Sequence, residues 1–255
     1  MNNLKTISSL QEIMSFRNNL ASNLKVGFVP TMGALHNGHA QLVKKSASEN
    51  DITVLSIFVN PTQFNNPEDL HKYPKTLTHD LKLASDNGAQ IIFTPVFEEI
   101  YSDNYRFKLS ETSFSKILCG AHRPGHFDGV LTVVMKLLQI ITPNAAYFGE
   151  KDFQQFQLVK DMSRAFFLKT QIIGCPTVRE TDGLAMSSRN VRLTAEGRKM
   201  APMIYSALSE FSDSKAAIAF LNEKGIETEY LEEHFGRRYI AATIDGVRLI
   251  DNVAI

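Results

Sequence analysis

Short runs of apolar and β-branched residues recur along the first two thirds of the chain, separated by stretches with helical spacing. The runs that predict strands span residues 25–31, 52–59, 90–94, 145–148 and 171–175. Nearly continuous apolar runs of this length are typical of strands that are buried on both faces of a sheet. Because strands and helices alternate, we predict an α/β fold in which helices cover both faces of a parallel sheet.

The stretches between these runs predict helices. Ser9 stands three residues before Glu12, which is typical of a capped helix start, and we expect the first helix to run to about Leu20. Further helices are expected over residues 39–50, 70–87 with a break near Pro74, 129–141 and 151–167. In the last of these, apolar side chains recur at helical spacing, which predicts one buried face.

The pattern changes after Arg192. Two helical stretches, at 194–210 and 214–224, precede two predicted strands, at 238–243 and 247–251. Asp245-Gly246 stands between those strands and predicts a tight hairpin turn. We therefore expect two domains, residues 1–178 and residues 179–255, of which the second is small and of α+β type.

Composition narrows the class of protein. Of the 255 residues 44% are hydrophobic and 21% charged, which is typical of a globular chain. Basic and acidic residues balance at 27 each, whereas nucleic-acid-binding proteins usually carry a basic excess. Cys119 and Cys175 form no metal-binding or redox pair, and the most apolar stretch, at 130–141, is too short to span a bilayer. The N-terminal residues are polar, unlike a signal peptide. We expect a cytoplasmic protein with no nucleic-acid or membrane partner.

The strongest candidate for chemistry follows the first predicted strand and reads Met32-Gly33-Ala34-Leu35-His36-Asn37-Gly38-His39. The carboxyl ends of parallel strands bind ligands, and a helix N-terminus attracts anions. Gly33 and Gly38 would let the backbone approach a phosphate, and His36 and His39 would point towards it. The alternative is that both histidines are surface or capping residues.

Two further polar segments are compatible with a phosphate ligand. Gly149-Glu150-Lys151-Asp152 lies at another strand-to-helix junction, where Lys151 would offer charge to a phosphate. Asp152 would accept from a ribose hydroxyl or merely cap the helix. Gln154 and Gln155 follow, so that one can face the pocket while the other faces solvent. Met186-Ser187-Ser188-Arg189 suits a polyphosphate, but a solvated linker is the bland alternative.

Two last segments are suited to a small polar ligand. Asn60-Pro61-Thr62-Gln63 leaves a strand end with two carboxamides, which would recognise a hydroxyl or carboxylate, or else form an exposed turn. Arg123-Pro124-Gly125-His126-Phe127 is either a binding loop or a simple turn.

Five stretches, taken in order, resemble the pantoate–β-alanine ligase family: PTMGALHNGH, FVNPTQF, RPGHFDGVLTVV, YFGEKDFQQ and DGLAMSSRN. The H-x-G-H element alone is shared by a wide nucleotidyl-transfer superfamily, and the other four narrow the match. The resemblance implies a Rossmann-like, doubly wound sheet with a small closing domain. It also implies that Mg²⁺ and ATP activate pantoate as its adenylate, that β-alanine then displaces AMP, and that the protein is a homodimer.

The resemblance also implies roles by position. His39, His36, Lys151 and Arg189 are the implied catalytic residues, with His39 at the proton-donor position. Gln63 and Gln155 are the implied pantoate ligands, Gln63 and Asn60 those of β-alanine, and no residue is implied as a metal ligand. The implied ATP-binding residues are Met32, Gly33, Ala34, Leu35, His36, Asn37, Gly38, His39, Gly149, Glu150, Lys151, Asp152, Val178, Met186, Ser187, Ser188 and Arg189.

Two departures from the family pattern stand out. Thr181 occupies a position where proline is common, and only 65 residues follow Asn190, so we expect a shortened C-terminal domain. Three rival interpretations remain. A nucleotidylyltransferase would keep the nucleotide in its product, a tRNA synthetase would need an anticodon-binding module, and a nucleotide sensor would need no set of charge-stabilising residues.

Overall fold

Six parallel strands form the central sheet of the computed structural model, which describes residues 4–255. The strands are β1 (Lys5–Ile7), β2 (Val26–Thr31), β3 (Ile52–Ile57), β4 (Ile91–Phe93), β5 (Ala145–Gly149) and β6 (Gln171–Cys175). Their order across the sheet is β1-β4-β3-β2-β5-β6. The order reverses between β2 and β5, so the crevice at their carboxyl ends is the ligand-binding position of a doubly wound fold.

Within the described residues, eight helices accompany this sheet. They are α1 (Leu10–Asn18), α2 (Asn37–Glu49), α3 (Pro67–His71), α4 (Leu77–Asp86), α5 (Phe97–Ile100), α6 (Cys119–His122), α7 (His126–Ile141) and α8 (Phe153–Ala165). Val29 and Leu55 of the sheet pack with Leu42 and Val43 of α2 in one buried cluster. The predicted Ser9 cap of α1 is confirmed, because its hydroxyl accepts from the Glu12 backbone N–H at 3.1 Å.

An antiparallel sheet of three strands follows near the C-terminus. It contains β7 (Glu227–His234), β8 (Arg237–Ile244) and β9 (Val247–Ala254), and it packs with α9 (Ala195–Met200), α10 (Met203–Ser209) and α11 (Ser214–Glu223). The predicted hairpin is confirmed, since Asp245 and Gly246 have φ angles of 53° and 71°, as its tight turn requires. Among residues 4–255 no helix is long and apolar enough to cross a membrane.

The sequence patterns missed two strands and misjudged one helix. The first, β1, has only three residues, of which two are exposed, so it leaves no apolar run. The second, β7, is rich in charged residues, which obscure its two buried positions, Tyr230 and Leu231. The helix expected over 194–210 is two helices, because Pro202 lies between α9 and α10 and its ring and missing N–H interrupt a helical ladder.

The chain divides into two compact units. Unit 1 contains the residues up to Gly149 together with Gln154–Cys175, and unit 2 contains Glu150–Phe153 together with Pro176–Ile255. The domain boundary at 178/179 stays a prediction. The division adds one feature that the sequence did not suggest, which is that the Glu150–Phe153 segment groups with the C-terminal residues.

Candidate active site

The loop that leaves β2 has an unusual backbone. Gly33 and Ala34 both have positive φ angles, of 78° and 51°, and alanine rarely takes this conformation without support. A Cβ atom added to Gly33 would lie 3.0 Å from both an Asp80 carboxylate oxygen and the Ile57 side chain. Both the backbone conformation and the tight space therefore favour glycine at position 33.

Asp80 of α4 holds this loop in place. Its Oδ2 accepts from the Ala34 N–H at 2.9 Å and its Oδ1 from the Leu35 N–H at 2.8 Å. Thr76 also donates its hydroxyl to Oδ1, at 3.0 Å. Asp80 is only 1% exposed. No local pattern in the sequence marks Asp80, because its two backbone partners lie 45 and 46 positions away.

The two predicted histidines cap α2 and pack against each other. His36 Nδ1 accepts from the Gly38 N–H at 3.1 Å, and His39 Nδ1 accepts from the His36 N–H at 3.3 Å. Their ring centroids are 4.1 Å apart. Because each Nδ1 accepts, each neutral ring carries its proton on Nε2 and can donate there. The capping interpretation is thus correct, and it leaves both rings suited to an anionic ligand.

The Asn60 and Gln63 carboxamides are buried rather than exposed, at 1% and 8%. Asn60 Nδ2 donates to Gln63 Oε1 at 3.0 Å and to the Gly129 carbonyl at 3.2 Å, and its Oδ1 accepts from the Tyr101 hydroxyl at 3.0 Å. Gln63 Nε2 lies 3.3 Å from the Met32 sulfur, which places this side chain beside the loop after β2. Direct contact of Asn60 with β-alanine stays a prediction, and it requires one of these bonds to be exchanged.

The Tyr101 hydroxyl donates a hydrogen bond to the Asn60 side chain of this cluster. Tyr101 is 1% exposed, and burial raises the pKa of its phenol to about 12. The hydroxyl therefore remains protonated at neutral pH and donates to Asn60. No pattern in the sequence distinguishes Tyr101, since it is an isolated tyrosine between predicted elements.

The two glutamines of α8 differ in their surroundings. Gln154 is 5% exposed, accepts from the Cys119 N–H and donates to the carbonyls of Phe114 and Ile117. Gln154 therefore ties α8 to the segment at the start of α6. The expectation that one glutamine faces a pocket while the other faces solvent is wrong for Gln154, because its side chain is bonded to backbone groups inside the protein. Gln155 is half-buried, and its pantoate contact stays a prediction.

In unit 2, Asn252 of β9 anchors the Glu150–Asp152 turn. Its Nδ2 donates to the carbonyls of Glu150 and Lys151, both at 2.9 Å, and its Oδ1 accepts from Arg237 Nε at 2.8 Å. The Lys151 ammonium lies 3.8 Å from the Asp152 carboxylate, and its side chain is only 17% exposed. The C-terminal sheet therefore fixes the backbone that carries Lys151.

The segment with Val178 and Met186–Arg189 forms a bridged loop in the same unit. The Met186 N–H donates to the Val178 carbonyl at 3.0 Å, and the Ser187 hydroxyl accepts from the Arg189 N–H at 3.2 Å. Arg179 fastens this loop to β9, because its guanidinium donates to both carboxylate oxygens of Asp251 and stacks 3.9 Å from the Tyr205 ring centre. A charged pair of this kind was not predicted, since its members are 72 positions apart.

The predicted site residues thus fall into two sets. Unit 1 brings together the loop after β2, both histidines and Gln63, and it also carries Gln155. Unit 2 holds the Lys151 turn and the 186–189 loop on one antiparallel sheet. Their individual roles stay predictions.

Comparison with known proteins decides the family. The family model for pantoate–β-alanine ligase matches residues 2–254. The chain belongs to the pantoate–β-alanine ligase family. It is 55% identical to a pantothenate synthetase of Bdellovibrio bacteriovorus over 230 residues, which cover 90% of this chain and 92% of that protein. It is 47% identical to a pantothenate synthetase of Legionella pneumophila, with 98% and 99% covered.

Solved ligase structures share the fold. The Francisella tularensis pantoate–β-alanine ligase, complexed with β,γ-ATP and β-alanine, superposes with a TM-score of 0.94 at 43% identity, covering 98% of this chain and 97% of that chain. The Thermus thermophilus pantothenate synthetase gives 0.89 at 39% identity, covering 98% and 99%. This chain spans nearly the whole length of both ligases. The Rossmann-like fold with a small C-terminal α+β part is confirmed.

Proposed function

We propose that the chain condenses pantoate with β-alanine in two steps. A pantoate carboxylate oxygen attacks the α-phosphorus of ATP, the bond from that phosphorus to the bridging oxygen breaks, and pyrophosphate leaves. The β-alanine nitrogen then attacks the acyl carbon of pantoyl adenylate, the carbon–oxygen bond to AMP breaks, and the amine loses a proton. Pantothenate and AMP are the final products.

The observation that carries this proposal is the contact between Gln63 and Met32. Gln63 is the proposed ligand of pantoate and β-alanine, and Met32 opens the proposed ATP loop. With Gln63 Nε2 only 3.3 Å from the Met32 sulfur, an acid bound at the carboxamide would lie beside a nucleotide bound at the loop. Proximity of this kind supplies a large part of the rate of a two-substrate reaction.

The charges of the site suit the difficulty of the first step. A carboxylate anion has to approach an anionic phosphate, so donors and cations must offset the repulsion. His36 and His39 offer Nε2–H donors at the N-terminus of α2, where the backbone dipole also favours negative charge. Lys151 and Arg189 are proposed to add positive charge as pyrophosphate develops.

We propose that Mg²⁺ enters with ATP as part of the co-substrate. Mg²⁺ is usually held by substrate phosphates, water and one or two carboxylates rather than by an all-protein cage. Within residues 4–255 no group of three or more His, Cys, Asp or Glu residues is placed to hold a metal ion.

We further propose that the chain acts as a homodimer in the cytoplasm, without nucleic-acid or membrane partners. Phe166 and Phe167, 54% and 91% exposed, follow α8 just before the edge strand β6. Two neighbouring exposed aromatic side chains are a feature of surfaces that another subunit covers. Light scattering should give a mass of twice 28.6 kDa, and a monomer at working concentration would refute the dimer.

Product analysis with a panel of carboxylic acids tests the proposed reaction. Pantoate with ATP, Mg²⁺ and β-alanine should yield AMP, pyrophosphate and pantothenate in equal amounts, and other acids should react more slowly. A final product that keeps the nucleotide would instead identify a nucleotidylyltransferase. ATP binding without turnover of any acid would identify a nucleotide sensor.

A further inference from the structure

The motif Arg123-Pro124-Gly125-His126-Phe127 has no part in the proposed reaction, yet its side chains are used in the structure. Gly125 has a φ of 79° and directly precedes α7, which begins at His126. His126 is 7% exposed and lies inside unit 1 beside the turn that ends at Gln63. A buried histidine at this position calls for an explanation, because its polar atoms must be satisfied.

Each ring nitrogen of His126 faces a partner that can play only one role. Nδ1 lies 2.8 Å from the Gln63 carbonyl oxygen, which only accepts, so Nδ1 carries the proton. Nε2 lies 3.1 Å from Arg123 Nη1, which only donates, so Nε2 accepts. Arg123 Nη2 also donates to the Gln63 carbonyl, at 3.2 Å. The arginine thus fixes the tautomer of a neutral histidine, and both residues bind the same backbone oxygen.

The Gln63 turn depends on these outside contacts. It is a single 3₁₀ turn over Pro61–Gln63, and the hydrogen bond from the Gln63 N–H to the Asn60 carbonyl is long, at 3.5 Å. A turn this short has little stability of its own. The carbonyl of Gln63 is instead held by the motif before α7, and the Asn60 side chain is held by the Gly129 carbonyl within α7.

Close packing of α7 completes the arrangement. A Cβ atom on Gly129 would lie 2.5 Å from the Thr62 carbonyl oxygen and 2.8 Å from the Gln63 Cα atom, so only glycine allows this approach. The conformation of Gln63 is therefore set by α7 from two directions, through hydrogen bonds and through steric contact. Its side chain then extends to the Met32 sulfur.

We propose that His126, oriented by Arg123, is a positioning residue that fixes the Gln63 backbone so that the Gln63 carboxamide faces the loop after β2. His126 contacts no substrate itself. The inference rests on the proposed function, in which Gln63 binds pantoate and β-alanine. It gives the Arg123–Phe127 motif a part in substrate use through Gln63.

Three substitutions at one position separate this part from general stability. His126→Leu removes both nitrogens, and it should reduce kcat/KM for pantoate about 10- to 100-fold, the usual range for one lost buried donor. His126→Asn places its amide nitrogen near the Nδ1 position and should recover most of that loss. His126→Gln should lose as much kcat/KM for pantoate as His126→Leu, because its amide nitrogen lies near the Nε2 position. In all three variants the KM for ATP should stay within about twofold of wild type. His79→Leu, at an exposed histidine of α4, is the matched control and should behave as wild type.

A double-mutant cycle with Gln63→Ala supplies the deciding readout. Once the Gln63 side chain is absent, its backbone no longer orients anything, so adding His126→Leu should cost less than about twofold more. Full additivity of the two losses would overturn the proposal, as would a kcat/KM for pantoate in His126→Leu equal to that of wild type. If His126→Leu fails to fold, Arg123→Lys serves instead, with an expected loss of about threefold or more because lysine lacks the planar fork. Wild-type behaviour of that variant would again refute the inference.

The same experiment distinguishes failure of the inference from failure of the proposed function. If Gln63→Ala uses pantoate as well as wild type does, the proposed binding role of Gln63 falls. If Gln63→Ala is impaired while His126→Leu is not, the reaction stands and only the positioning role falls.

Discussion

Replacing Asp80 with asparagine should disturb nucleotide binding without removing any residue that contacts the nucleotide. Both carboxylate oxygens accept a backbone N–H from the loop after β2, from Ala34 at one oxygen and Leu35 at the other. An asparagine offers only one oxygen. Whichever way the carboxamide is placed, its NH₂ group therefore faces a backbone N–H, and two donors oppose each other.

The size of the effect follows from the bonds affected. A hydrogen bond to a charged group contributes about 1.5–3 kcal/mol, and a buried donor left unsatisfied costs a similar amount. Ala34 also has a left-handed backbone, which costs about 1–2 kcal/mol and favours relaxation once its anchor is weakened. If the arranged loop loses about 2–3 kcal/mol, the apparent Kd for ATP should rise by up to about 30- to 150-fold.

Isotope exchange between pyrophosphate and ATP at varied ATP concentrations measures this effect. Asp86→Asn is the matched control, because Asp86 lies on the same helix, is exposed and forms a surface ion pair with Lys82. That variant should exchange as wild type does. An Asp80→Asn enzyme that folds and keeps the wild-type KM for ATP would refute the view that this carboxylate arranges the loop.

Four other substitutions test the remaining parts of the site. Lys151→Ala and Arg189→Ala should each slow pyrophosphate exchange by about 10²–10³, the usual loss for one transition-state donor, and wild-type rates in both would contradict their roles. Asn252→Asp replaces an NH₂ group that donates to two carbonyls with a carboxylate oxygen that can only accept, so pyrophosphate exchange should fall at least about tenfold. Asn222→Asp, on the exposed face of α11, is the control and should have no effect. Gln155→Ala should raise the KM for pantoate while leaving the KM for ATP unchanged, and the reverse pattern would show that its role is misassigned.

The sequence predicted features that depend on local pattern. The strand before the loop at Met32, the helix after it and the Asp245-Gly246 turn all follow from spacing over a few residues, and the structure confirms them. The paired histidines were also evident, because their three-residue separation places both rings on the first turn of a helix.

Features that depend on distant contacts were not predictable in this way. The contacts of Asp80 with Leu35, of Arg179 with Asp251 and of Asn252 with Glu150 span 45, 72 and 102 positions, so no local window contains both members of these pairs. The burial of Asn60 follows from the approach of α7, which only the folded chain reveals. Sequence reasoning therefore found the residues proposed to contact substrates and missed most of those that hold them in place.

The central claim is that the enzyme forms the acyl adenylate in a separate step that does not need β-alanine. One exchange measurement tests this claim most directly. The enzyme is supplied with pantoate, Mg²⁺, ATP and labelled pyrophosphate, and β-alanine is left out. The account predicts that label enters ATP, that AMP stays close to stoichiometric with enzyme, and that His39→Ala depresses the exchange. Addition of β-alanine should then release AMP and pantothenate continuously. Exchange that strictly requires β-alanine would contradict the two-step mechanism.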